Sequence, residues 1–180
     1  MSAQRYPLFI RITHWLMAIV IIGIGLLGIY MSPFESRPEA VSESLYFWHK
    51  SFGMLMLFLI VARIVQRLRV RLPELPESLA PWERTAGAIS HVVMYVLMLL
   101  VPVFGYVHSS SFAEGHGINF FFVDLPQLVA DDAFIAELFR DLHKWSGYLL
   151  LAIVAVHAAG AVKHRFFDSN KSNDVFPRVL

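Results

Sequence analysis

The stretch that most constrains the fold is the last long apolar run, residues 142–166, LHKWSGYLLLAIVAVHAAGAVKHRF. His143 opens it and His157 follows fourteen residues later. On an α-helix that spacing advances about 21 Å and turns to within about 40° of the starting direction. Both imidazoles therefore share one side of one helix, near opposite faces of a bilayer whose apolar core is about 30 Å thick. Ionisable side chains inside a span are rare and mark a functional site by default. At this separation two such histidines serve two centres, not one.

The rest of the chain has the same character. Of its 180 residues, 57% are hydrophobic and 16% charged, more apolar surface than a water-soluble domain of this size can bury. Four apolar segments, about 8–31, 45–68, 85–108 and 138–166, have the length of tilted spanning helices. The expectation is an all-α, integral membrane four-helix bundle, residues 1–180 forming a single domain. The first segment follows Arg5 and Arg11 but closes on no small-residue cleavage pattern and contains His14, so it reads as a retained span. In the second segment, Arg63 and Arg67 read as snorkelling ends; in the third, Pro102 predicts a kink.

Charge sets the expected orientation. Arg63, Arg67, Arg69, Arg71 and Arg84 lie around the connection between spans two and three, Arg5 and Arg11 at the N-terminus, and Lys163, Arg165, Lys171 and Arg178 in the tail. On the opposite side Arg37, Lys50, Arg140 and Lys144 face Glu35, Glu39, Glu43, Glu114, Asp124, Asp131, Asp132, Glu137 and Asp141. Both termini are expected to be cytoplasmic. Within the long outer connection, residues 119–129 (NFFFVDLPQLV) read either as a short helix on the membrane surface or as a packed lid over the bundle end.

The absence of cysteine excludes disulfides, iron–sulfur clusters, thioether-linked haem and thiolate zinc sites. Histidine remains as the ligand, and eight occur. Sorted by depth, His14 and His157 lie towards the inner side, and His49 and His143 towards the outer side. An iron bound by two imidazoles takes its other ligands from a macrocycle, so the arrangement predicts two haems. A flat macrocycle also needs a small residue one turn from each ligand. Ala18 follows His14, Gly53 follows His49, Gly147 follows His143 and Ala161 follows His157, whereas Tyr95 follows His91 and Phe112 follows His108. Against this stands the plainer alternative that a membrane histidine hydrogen-bonds between helices. His91, His108 and His116 keep that reading, as interfacial or loop residues. His164, one heptad past His157, reads as a snorkelled surface residue, with contact to a haem propionate or a quinone as the alternative.

The motifs RITHW (11–15), FWHKSFG (47–53), ISHVVMY (89–95), LHKWSGY (142–148) and AVHAAGAVKHRFF (155–167) resemble the prokaryotic cytochrome b561 family over essentially the whole chain. HKSFG and HKWSG also echo one another, each opening an apolar run. The resemblance implies two b haems in a bacterial inner membrane, His14 with His157 holding the inner one and His49 with His143 the outer one. It further implies a superoxide oxidase, with periplasmic superoxide as electron donor and ubiquinone as acceptor. On that view Lys50, Arg140 and Lys144 form a basic mouth that steers superoxide; the alternative is that they snorkel or pair with Asp141 and Glu137. A relay between the quinone pool and a periplasmic redox protein is the second function, favoured by the acidic outer loops. A non-redox structural or transport bundle is the third. Membrane lipid is the expected surroundings, and no nucleic acid is an expected partner.

Overall fold

A computed structural model describes residues 5–31, 39–70, 73, 76, 78–113 and 118–180. Glu35, Arg37, Arg71, Glu114 and His116, used above, lie outside these. Four helices dominate: α1 (Leu8–Met31), α2 (Glu39–Arg69), α3 (Pro81–Ser110) and α4 (Ala133–Phe166). All four are long and apolar enough to cross a membrane, so the chain is an integral membrane four-helix bundle. They alternate in direction. The end carrying both termini is called proximal below, and the opposite end distal.

Three helices begin earlier than their apolar runs, because hydropathy marks the lipid-facing length while caps mark the helix start. Pro81 opens α3 in the first-turn position where its missing N–H costs nothing. Glu83 then accepts from the Ala80 N–H at 3.2 Å. Asp132 caps α4 by accepting from the Ile135 N–H at 3.0 Å. Past Pro102, α3 continues unbroken to Ser110.

Packing runs round the bundle: α3 lies closely along α4, α1 along α2, and α2 along α3. Helix α4 approaches α1 only sparingly, and among the described residues the diagonal backbones of α2 and α4 stay apart. A thin core of Met17, Val20, Ile21, Met56, Ile60, Met94, Leu97, Met98 and Leu150 holds the middle. Outward faces carry exposed Leu8, Ile12, Ile19, Phe58, Val92 and Val156, as expected where lipid is the solvent.

Of the two sequence alternatives for the distal loop, the structure has the packed lid and not the surface helix, and the tail adds a second feature. Residues 119–129 form no helix; the distal loop folds as an antiparallel hairpin of β1 (Ile118–Phe120) and β2 (Val123–Leu125). Its turn places Phe121 at φ 49°, a left-handed conformation uncommon for an aromatic residue. The Phe121 N–H donates to the Ser51 hydroxyl at 3.0 Å, and its ring meets Trp48 and Phe52 edge-on. Clustered aromatics on α2 thus give the hairpin a seat that no local pattern announces. The second feature is the tail. Residues 167–180 fold back across the proximal end in two short 3-10 turns. The Trp15 indole donates to the Val179 carbonyl at 2.8 Å, the Tyr6 N–H to the Arg178 carbonyl at 3.0 Å, and the Ser78 hydroxyl to Asn173 at 2.5 Å.

Candidate functional site

Helix α4 carries His143 and His157, and each ring faces a histidine from another helix. His14 of α1 stands 6.4 Å from His157 between ring centroids, and His49 of α2 stands 5.8 Å from His143. Two metal–imidazole bonds of about 2.0–2.1 Å, with half a ring on either side, come to about 6 Å. Both gaps therefore have the width of one bis-imidazole metal. Among the described residues no cluster of three or more His, Asp or Glu side chains could hold an ion by itself. Any remaining ligands must come with the bound group, as they do in haem.

The donor chemistry fits. The Nδ1 atoms of His14 and His49 are buried without a hydrogen-bond partner. His143 Nδ1 lies 2.8 Å from the Val101 carbonyl. A carbonyl only accepts, so Nδ1 carries the proton and Nε2 keeps its lone pair for a metal. Space fits as well. A Cβ added at Gly53 or Gly147 would meet nothing within 4 Å, so open faces adjoin the two distal histidines. Ala18 and Ala161 are half-buried in the proximal layer.

Some residues of the site carry no signal along a single helix. Gly28 of α1 and Gly105 of α3 are the seats of the distal rings: an added Cβ would lie 3.1 Å from Cε1 of His49 and 2.9 Å from Nδ1 and Cε1 of His143. His91 lies within α3 and not in a loop. Half-buried on α3, its ring lies 5.2 Å from that of His157. The i+4 test set it aside because Tyr95 follows it, but Tyr95 is engaged elsewhere in the same layer. Arg63 does not snorkel: its Nη1 donates to the Ile10 carbonyl at 2.9 Å and to Thr13 Oγ1 at 3.1 Å, and its Nε to the Tyr95 hydroxyl at 3.2 Å. Arg67 rests 5.6 Å over the Tyr95 ring.

The other two candidate histidines are structural in their contacts. His108 Nδ1–H donates to the Ala136 carbonyl at 2.8 Å, tying α3 to α4. His164 is no free surface residue; its Nδ1 sits 2.8 Å from Asp168, and both side chains are mostly buried. Hydrogen bonds from His164, Asn173 and Lys163 hold the Asp168 carboxyl well below the usual carboxylate range.

The three candidate steering cations have different fates. Arg140 is engaged by Glu137 and Asp141, each at 3.2 Å. Lys144 is exposed, 5.7 Å from the Trp145 ring. Lys50 alone of the three is half-buried, its ammonium 6.0 Å over Phe112. A distal cleft of about 610 Å³ lies beside it, lined by His108, Phe112, Asp131, Asp132, Glu137 and Arg140 among others.

The chain is similar to several named proteins. It is 29% identical to cytochrome b561 homolog 2 of Escherichia coli strain K12, over 99% of this chain and 93% of that one. It is 22% identical to cytochrome b561 homolog 1 of the same organism, over 69% of each chain. A protein of Yersinia pestis named probable superoxide oxidase CybB is also 22% identical, over 85% of this chain and 84% of its own length. Residues 5–177 match the family as a whole, and the chain belongs to the prokaryotic cytochrome b561 family, multi-pass membrane proteins that bind b-type haem and transport electrons.

Proposed function

We propose that the chain is a di-haem superoxide oxidase, residues 1–180 working as one unit in the bacterial inner membrane, with both termini in the cytoplasm. The observation that carries it is the pair of facing histidine couples at two depths, with ring centroids 6.4 and 5.8 Å apart and planes inclined at 49° and 84°, each couple drawing one member from α4. His14 and His157 hold the proximal haem b, and His49 and His143 the distal one. When bound, the two haems supply one-electron chemistry between the two membrane faces. In balance, two superoxide anions lose one electron each and leave as oxygen; ubiquinone gains two electrons and two protons and leaves as ubiquinol.

The chain's own part is to bind, orient and steer. Val101 fixes the tautomer and direction of His143 through its carbonyl. Gly53, Gly147, Ala18 and Ala161 leave flat faces for the macrocycles. Lys50 is the cation that draws a small anion towards the distal layer. Arg140 contributes less, because Glu137 and Asp141 offset its charge, and Lys144 stays in solvent. The relation to a protein named probable superoxide oxidase supports superoxide as the donor.

The experiment is to supply superoxide enzymatically to the purified holoprotein and follow ubiquinone reduction. Reduction that stops when superoxide dismutase is added upholds the reading. No reduction, with both haems present, overturns it. That outcome favours the second reading, an electron relay to a periplasmic redox protein, for which the acidic lining of the distal cleft (Asp131, Asp132, Glu137) argues. A basic periplasmic cytochrome would then exchange electrons with the chain in a salt-sensitive way.

A further inference from the structure

Arg63 is a half-buried arginine that pairs with no acid among the described residues. Its three hydrogen bonds go to the Ile10 carbonyl, the Thr13 hydroxyl and the Tyr95 hydroxyl, all uncharged. Among the described residues no carboxylate lies within 4.0 Å of it. A guanidinium does not give up its proton in a protein. A full positive charge is therefore held at this level of the membrane, where charge is costly and low polarity lets it act over distance.

Its position follows from the internal echo between α2 and α4. Both helices run from the distal to the proximal end, and HKSFG at 49–53 corresponds to HKWSG at 143–147. Fourteen residues after His143 comes His157; fourteen after His49 comes Arg63. Arg63 thus holds on α2 the place that the proximal histidine holds on α4, on the side of the helix that His49 faces. Its bonds span the same layer. Thr13 directly precedes His14, and Tyr95 lies one turn beyond His91, whose ring contacts His157. In this layer α1, α3 and α4 contribute imidazoles and α2 contributes the charge.

We propose that Arg63 sets the redox potential of the proximal haem, a proposal that rests on the di-haem reading above. A fixed positive charge disfavours the oxidised, more positive state of a nearby one-electron centre and favours the reduced one. Arg63 therefore raises the proximal potential and draws electrons to the proximal layer. It acts through its field and not by ligation. His49, the distal histidine on the same helix, stands fourteen residues and about 21 Å back along the axis, so a haem held there would feel the charge far less.

The test is an equilibrium redox titration of the purified holoprotein in lipid nanodiscs, followed in the haem α-band. The proximal component is identified as the one missing from His14→Ala. In Arg63→Gln the distribution of electrons between the two haems shifts about tenfold away from the proximal one, equivalent to about 59 mV for a one-electron couple, and the distal potential stays put. Arg63→Lys keeps the charge and restores most of the wild-type potential. Gln66→Glu provides an independent approach: Gln66 accepts from Thr13 at 3.3 Å, one turn from Arg63, and a carboxylate there offsets the guanidinium in place. It lowers the proximal potential in the same direction, even if Arg63→Gln fails to accumulate. Unmoved potentials in Arg63→Gln and Gln66→Glu, or equal shifts at both haems, overturn the proposal, as does an Arg63→Lys protein that behaves like Arg63→Gln, which would mark a structural role. A wild-type protein with fewer than two haems sinks the di-haem reading itself, a result visible before any titration.

Discussion

Gly105 of α3 lies directly against the imidazole of His143 on α4, so closely that a Cβ built there would come within 2.9 Å of the ring. The carbonyl one turn earlier on α3, that of Val101, holds the same ring through Nδ1 at 2.8 Å. One helix thus offers both the floor and the latch for a side chain of its neighbour. The ring cannot retreat without breaking that hydrogen bond, and the added methyl cannot retreat because it belongs to a helix backbone.

Gly105→Ala is accordingly expected to cost distal haem selectively. Overpacking of this kind costs about 1–3 kcal/mol, enough to lower occupancy at the distal layer while the proximal layer stays filled. Haem-to-protein ratio and the reduced-minus-oxidised spectrum report it. Gly28→Ala, where the contact with His49 is 3.1 Å, should show the same loss in weaker form.

Replacing the ligands themselves separates the layers. His14→Ala and His143→Ala should each lose one low-spin haem, and not the same one, so that their difference spectra sum to the wild type. Loss of both haems from either variant would mean that the layers do not load independently.

Steering should depend on one cation more than on the others. Lys50→Gln is expected to slow superoxide-driven ubiquinone reduction about tenfold, the lower end of what electrostatic focusing supplies, and to flatten its dependence on salt. Arg140→Gln should change the rate little, because Glu137 and Asp141 already engage that guanidinium at 3.2 Å each. Stopped-flow rates over a range of ionic strength distinguish the two.

The tail should loosen in acid. Asp168 has a folded-state pKa held below the ordinary value by His164, Asn173 and Lys163. Such a group contributes stability in full above its unfolded pKa of about 3.9. That contribution declines as the pH falls below this value towards the folded pKa. Proteolysis or hydrogen exchange of residues 167–180 should therefore quicken below about pH 4. In Asp168→Asn it should already be fast at neutral pH.

What could be read from the sequence was what repeats along one helix. The four spans follow from segment length, and the common face of His143 and His157 from a spacing of fourteen. Helix starts came out late because caps such as Asp132 and Glu83 are polar residues that lie outside the apolar run. Contacts between helices left no trace. Nothing in the run containing Gly105 announces that a ring from α4 rests on it, and nothing around Arg63 tells an arginine that reaches for water from one that reaches for Tyr95. His91 was set aside by the large residue one turn on, a test that assumes the neighbour fills the space the histidine needs. A packed lid was one of two open readings of 119–129, but its strand form was not legible: Phe120 and Phe121 look like a surface for lipid until Trp48, Phe52 and Phe58 are placed beside them.

The hydrogen bond from Trp15 to Val179 joins residues 164 positions apart. Trp15 also stands edge-on to His14 at 5.3 Å and to Phe176 at 6.0 Å. Helix α1 therefore depends on residues 164 positions further along the chain before its histidine is fully framed. Closure of the proximal layer thus requires a segment that follows α4 in the chain.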